Sequence, residues 1–374
     1  MKRSLSLILG LMITFSGLWA GLELSELENK VALQPSNARN LYELTRTYIK
    51  EDMEQKAVES WRRLADLDQE LASDVFLLSN IAFFLDIELF FPQLLSDSMA
   101  QSPRLSPDGR WIVFQAVVMG QMRIARMDFF GDHYEVITPR DIYCSMPVFA
   151  GSENEILYLR YIEGKAFEVV MQNLETNETN VVLRSDLLAQ IEAPDIEARG
   201  NKLLFSYLSP DSKTMELASY NIKSSKVKDL TNNLYSDKNG RYSADGKMVT
   251  FAADNRINTD LWIMKSNGKK KKQLTDTRIN EAQPDFGDND TKLAFVAYVK
   301  DSYNIYIYDL KTEDIYPVTF SEADDLSPDL TNDGNWLIFH SDRDGPRVKP
   351  FVVSLNQPVS LETLVEEIDK KNQD

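Results

Sequence analysis

The spacing of apolar residues changes once along this chain. From Leu22 to about Leu89 they recur at three and four positions, as on amphipathic helices; from Pro103 onward they alternate with polar residues, as in half-buried strands. In the first stretch Gly is absent and only Pro35 interrupts. The pattern predicts one helix from Leu24 that stops at Pro35, a helical pair from Ala38, and another helix through Val75, Leu78 and Ala82.

In the second stretch a unit of 44 to 47 residues repeats six times. An aromatic residue closes the second predicted strand of each unit: Phe114, Tyr158, Phe205, Phe251, Phe295 and Phe339. Before it stands a turn, clearest in Ser106-Pro107-Asp108-Gly109 and repeated as Ser243-Ala244-Asp245-Gly246 and Thr331-Asn332-Asp333-Gly334. Pro presets φ for such a turn, and Gly accepts the left-handed residue that the turn ends on. A third, alternating strand follows, as in Ile305-Tyr306-Ile307-Tyr308, and then a short fourth that ends in Thr138, Thr231, Thr275 or Thr319. Four strands per unit make one propeller blade. Phe90 to Ser96 lies before Pro103 much as a fourth strand would, and so predicts that the start of the chain completes blade six.

Two resemblances follow from these residues. Leu41, Leu44, Tyr48, Ala57, Trp61 and Leu64 fall where two antiparallel helices interlock in a tetratricopeptide repeat; Thr45 and Gln69 depart from it, standing where that family favours Gly and Pro. Across residues 90 to 355, the Pro-x-Leu/Phe-Ser-Pro-Asp-Gly turn, the aromatic-ended strand and the Leu-Thr ending resemble the repeats of the TolB propeller family. The expected fold is therefore mainly β: a six-bladed propeller of four-stranded blades over 90–358, preceded by a small α-helical segment at 21–89 and followed by a C-terminal tail at 359–374 that forms a short helix. The TolB resemblance implies a periplasmic adaptor in an envelope assembly. It differs where TolB carries a small α/β domain before the ring, so the adaptor logic transfers and the named partners do not.

The first 20 residues read as an export signal, with Lys2 and Arg3 before an apolar run from Leu5 to Leu18 and cleavage after Ala20. Leu18 is a poor match to the small residue that cleavage favours, which leaves a membrane anchor, or secretion, as the alternative to the periplasm. The net charge of −17 repels nucleic acid and anionic lipid, so membrane association is expected through partners. Cys144 is alone and forms no internal disulfide.

The chain carries little recognisable catalytic chemistry. His133 and His340 lie at unrelated points of the repeat, in a solvated turn and on a blade face, and belong to no triad or metal spacing. There is no Gly-x-Ser-x-Gly elbow. Asp288, Asn289 and Asp290 sit where other blades have plain turns, and Lys269 to Lys272 form a charged hairpin tip. No catalytic residue, metal ligand or cofactor is expected. The loops before the inner strands, which ring a channel mouth in propellers, hold Met99, Tyr143, Glu192, Tyr235, Arg278, Glu281, Asp324 and Asp325. Mixed aromatic and charged groups there suit recognition of a protein partner. The expectation is a non-enzymatic scaffold; a binder of cell-wall glycan or another small ligand in the channel comes second, and a lyase or hydrolase third.

Overall fold

The computed structural model describes residues 17–162, 165–184, 196–287 and 289–371. It begins with helices α1 (Gly17–Leu33), α2 (Ala38–Lys50), α3 (Glu54–Leu67), the single turn α4 (Gln69–Ala72) and α5 (Val75–Phe84). Lys2, Arg3 and the apolar run up to Ser16 lie outside the described residues, and the cleavage expected after Ala20 falls inside α1. Pro35 disfavours helical backbone at Gln34, and α1 has ended by then. Asn37, Asp68 and Asp74 begin the next helices by accepting the amides of Asn40, Leu71 and Leu77 at 3.0–3.2 Å.

Leu41, Leu44, Tyr48, Ala57, Trp61 and Leu64 are all buried in one apolar cluster. Thr45 fits between α2 and α3 because its hydroxyl lies 2.8 Å from Leu41 O and 2.9 Å from Ser60 Oγ. Gln69 begins α4, whose Ala72 carbonyl accepts the Trp61 indole N–H at 2.9 Å.

Strand β1 (Gln93–Leu94) leads into six four-stranded antiparallel sheets. Blade one is β2 (Ala100–Leu105), β3 (Trp111–Val118), β4 (Gln121–Asp128) and β5 (Glu135–Val136). Blade two is β6 (Cys144–Ser152), β7 (Glu155–Ile162), β8 (Lys165–Asn173) and β9 (Thr179–Arg184). Blade three is β10 (Ile196–Arg199), β11 (Lys202–Leu208), β12 (Met215–Asn221) and β13 (Lys226–Asp229). Blade four is β14 (Ser236–Tyr242), β15 (Met248–Asp254), β16 (Thr259–Lys265) and β17 (Lys272–Gln273). Blade five is β18 (Glu281–Gly287), β19 (Lys292–Val299), β20 (Ser302–Asp309) and β21 (Ile315–Pro317). Blade six is β22 (Asp325–Leu330), β23 (Trp336–Ser341) and β24 (Lys349–Ser354), with β1 as its fourth strand. Gln93 pairs with Val352 and Leu94 with Phe351, so the first strand of the chain covers the last blade's open edge.

The anchor aromatics stand in the middle of the second strands rather than at their ends, and all six are buried. Each faces a third-strand partner, as Phe251 faces Trp262 and Phe339 faces Phe351. In the Ser-x-Asp-Gly turns the Ser106 hydroxyl donates to Asp108 at 2.5 Å and accepts Trp111 N at 2.9 Å; Ser243 and Thr331 repeat this geometry.

The fourth-strand threonines have a backbone task. Thr138, Thr231, Thr275 and Thr319 accept the amides of Ile124, Leu217, Leu261 and Ile305 at 2.8–3.0 Å, which extends the ladder by a side chain where the strand runs out. The same hydroxyls reach the first residues of the next inner strand: Thr138 bonds Cys144, Thr231 bonds Asp237, Thr275 bonds Glu281 and Thr319 bonds Asp325.

Helices and ring share a core. One cluster runs from Val31, Trp61 and Phe76 to Ile305 and Val318 of blade five, Phe339 and Val353 of blade six, and Leu364 of the C-terminal helix α6 (Leu361–Lys371). Ion pairs rim it: Arg46 and Lys50 meet Asp314, Lys300 meets Asp86, and Arg62 meets Asp369.

Candidate functional site

In an up-and-down blade, the start of the inner strand and the turn between second and third strands lie at the same end. That end of this ring carries Met99, Tyr143, Tyr235, Arg278 and Asp324, each just before an inner strand. Tyr143, Tyr235, Arg278 and Asp324 are exposed, and Met99 is half-buried. Glu192 lies outside the described residues.

Glu281 and Asp325 are corrections, because their side chains are closed to solvent and cannot offer themselves to a partner. Glu281, 3% exposed, accepts the hydroxyls of Thr275 and Thr277, and burial pushes its carboxyl up to about 8 against the effect of those bonds. Asp325, 0% exposed, meets the Arg343 guanidinium at 2.7 Å; burial still holds its carboxyl above the usual range. Glu88 takes the other arm of Arg343 at 3.0 Å. The alternation of the sequence does not reveal these roles, but a spacing does: an acid or Cys follows the strand-ending Thr by six residues at 144, 237, 281 and 325.

The same end presents large apolar side chains that sequence reasoning missed. Val117, Met119, Tyr161, Ile257 and Tyr298 sit at or beside the turns between second and third strands, and Leu234 stands beside Tyr235. Met119 is 80% exposed, Leu234 76% and Ile257 92%. Apolar residues in a tight turn, where solvation alone would favour polar ones, were the available signal.

At the opposite end the inner strands close around a cavity of about 460 Å3, lined by Arg104, Arg199, Asp285, Asp329 and Tyr242, with Phe129, Phe130 and Trp336 among its aromatic lining. Asp285 accepts Leu330 N at 3.0 Å and Asp329 accepts Leu105 N at 2.8 Å, so each acid ties its blade to the next. Burial raises both carboxyls, and in Asp329 the nearby Asp285 adds to this. His340 is buried, where a blade-face decoration was expected; its Nδ1 accepts Ser102 N at 3.2 Å, and burial lowers its pKa to about 4. It is thus neutral and acts as a link between blades six and one. His133 stays in an exposed turn, 2.7 Å from Asp128.

Asp290 accepts the amides of Ala244 and Asp245, and Asn289 N donates to Asn332 O, so that turn joins blades; Asp288 lies outside the described residues. Lys269 and Lys270 are exposed at the hairpin tip, and Lys272 pairs with Glu313. Among the described residues, no three of His, Cys, Asp and Glu gather in a way that would hold a metal ion, and no helix is long and apolar enough to cross a membrane.

No family model matches the chain. The architecture is similar to solved six-bladed propellers. A TolB from Agrobacterium tumefaciens superposes with a TM-score of 0.53 at 13% identity over 70% of this chain and 91% of its own. TolB from Acinetobacter baumannii gives 0.50 at 19% identity over 71% of this chain and 65% of its own. An oligogalacturonate lyase in complex with manganese gives 0.48 at 13% identity over 72% and 97%. At such identities the shared feature is the six-bladed ring itself.

Proposed function

We propose that this chain is a non-enzymatic scaffold, exported to the periplasm, that holds a protein partner of an envelope assembly on the ring end bearing Tyr143, Tyr235, Arg278 and Asp324. The observation that carries the reading is that exposed Met119, Tyr161, Leu234, Ile257 and Tyr298 share one ring end with those four residues. Exposed apolar groups collected on one face, rimmed by charge, mark interaction surfaces. The net charge of −17 fits a basic partner, whose approach it would accelerate. The helical segment, read as a tetratricopeptide-like unit, packs on blades five and six.

The test is site-specific photocrosslinking in the native cell from position 143, compared with position 130 at the opposite end. The expected result is one protein adduct from 143 alone, and Tyr143→Ala with Arg278→Ala should weaken that partner's binding by roughly tenfold or more. Adducts confined to position 130 would overturn the assignment. The second reading, a glycan or small polar ligand, is favoured by the polar cavity with aromatic lining; glycan-array binding that survives the double substitution would select it.

A further inference from the structure

One position repeats in every third strand, two residues before the partner of the anchor aromatic: Arg123, Glu168, Glu216, Asp260, Asn304 and Lys349. Where an acid stands there, or at the start of the following inner strand, a cation or a set of hydrogen-bond donors faces it at other junctions. Glu168 has Arg160 at 2.6 Å and Arg184 at 3.5 Å. Asp260 accepts the Asn258 and Gln273 amides and Thr277 N at 3.0–3.2 Å. Asp325 has Arg343.

The junction of blades three and four differs. Glu216 and Asp237 are each 1% exposed, and the charge of Glu216 acts on Asp237. Glu216 Oε1 accepts Asn233 N at 2.9 Å, while its Oε2 has no hydrogen-bond partner. Asp237 Oδ2 accepts the Asn233 side-chain amide at 2.7 Å, and Thr231 reaches the same carboxyl, yet Oδ1 has no partner. Around them oxygen crowds: Thr214 Oγ1 lies 2.6 Å from Ser212 Oγ, 3.1 Å from Glu216 Oε1 and 3.2 Å from Asn233 O, and Ser212 Oγ lies 3.3 Å from Glu216 Oε1, so both hydroxyls gather on Oε1 and neither serves Oε2. Lys271 is the one cation that acts on Asp237 among its main influences, and it is exposed. Two carboxylate oxygens without donors in a closed site call for positive charge, which Arg343 provides two junctions away.

We propose that this junction binds a calcium ion, with Glu216 Oε2 and Asp237 Oδ1 as charged ligands and Ser212, Thr214 and the Asn233 carbonyl as neutral oxygens. The donor set is all oxygen, which selects a hard cation and disfavours zinc or copper. Carbonyl and hydroxyl donors in a closed site suit Ca2+ better than Mg2+, which keeps most of its water. The ion would fix the loop of Asn233, Leu234 and Tyr235, because Tyr235 N donates to Asn233 Oδ1 at 2.6 Å. The site stands independently of whether that loop contacts a partner.

The experiment uses the full chain, stripped with EDTA and titrated with CaCl2 by calorimetry and thermal melting, and with Tb3+ by luminescence excited through the aromatic residues. One saturable site, a higher melting temperature and weaker competition by Mg2+ are expected. Glu216→Gln and Asp237→Asn should each lower calcium affinity by roughly tenfold or more. The double variant should lose the calcium response while melting in EDTA no lower than the wild type, since it buries no unpaired charge; this separates lost binding from lost folding. Asp260→Asn, at the equivalent position with its own donors, should keep the response. No binding at millimolar calcium, or a response that survives the double variant, overturns the site.

Discussion

Single side chains at the blade junctions set how this ring responds to pH and to substitution. Glu281 is raised to about 8 by burial, while an unfolded Glu titrates near 4.3. Between those values the folded chain holds the extra proton, so its contribution to stability is full below about pH 4 and is lost as pH rises through about 8. Glu281→Gln keeps the neutral shape, and its melting temperature should fall less between pH 5 and 8.5 than that of the wild type; parallel curves would show that Glu281 does not titrate in this range. Thr319→Val tests the ladder extension. It removes the acceptor of the buried Ile305 N–H and a hydrogen bond to Asp325, and should cost about 1–3 kcal/mol in urea unfolding. The same change at the exposed Thr179, Thr179→Val, should cost under about 0.5 kcal/mol.

At the scale of elements, Arg343 clasps the closure. It stands in the turn between β23 and β24 and joins buried Asp325 of blade six to Glu88, where the chain leaves the helices for β1. Its guanidinium lies 5.5–5.6 Å from the Phe339 and Phe351 rings, which shields the pairs from water. Arg343→Leu leaves Asp325 buried without its cation and should destabilise by about 3–5 kcal/mol; adding Asp325→Leu should recover much of that loss in equilibrium unfolding. The closure strand itself was legible in the sequence. Phe90 to Ser96 stands before the first turn as a fourth strand stands before the next blade, and Gln93–Leu94 pairs with β24. Arg343 and Glu88, 255 residues apart, carry no pattern that links them.

For the whole molecule, the cluster that runs from α2 through α5 into blades five and six joins helices and ring in one apolar core. A calorimetric scan should show one transition, with helical and aromatic circular dichroism lost together. Two separated transitions would mean that the helices unfold on their own.

The sequence by itself determined the number of blades, the four strands in each, the helical start and the closure, because each rests on a local period or turn that repeats along the chain. It also placed Tyr143, Tyr235, Arg278 and Asp324 on exposed loops, since those loops follow the strand-ending residues directly. Only the tertiary structure decided that Glu281 and Asp325 point inward and that His340 is buried between blades. It likewise decided that Met119, Leu234 and Ile257 share one end of the ring, and that Glu216 and Asp237 are both buried at one junction, each with a carboxylate oxygen that has no donor. The physical reason is that periodicity fixes which face of a strand a residue takes. What covers that face is set by a neighbouring blade some 45 residues away, and a charge buried there depends on whichever side chain the neighbour brings.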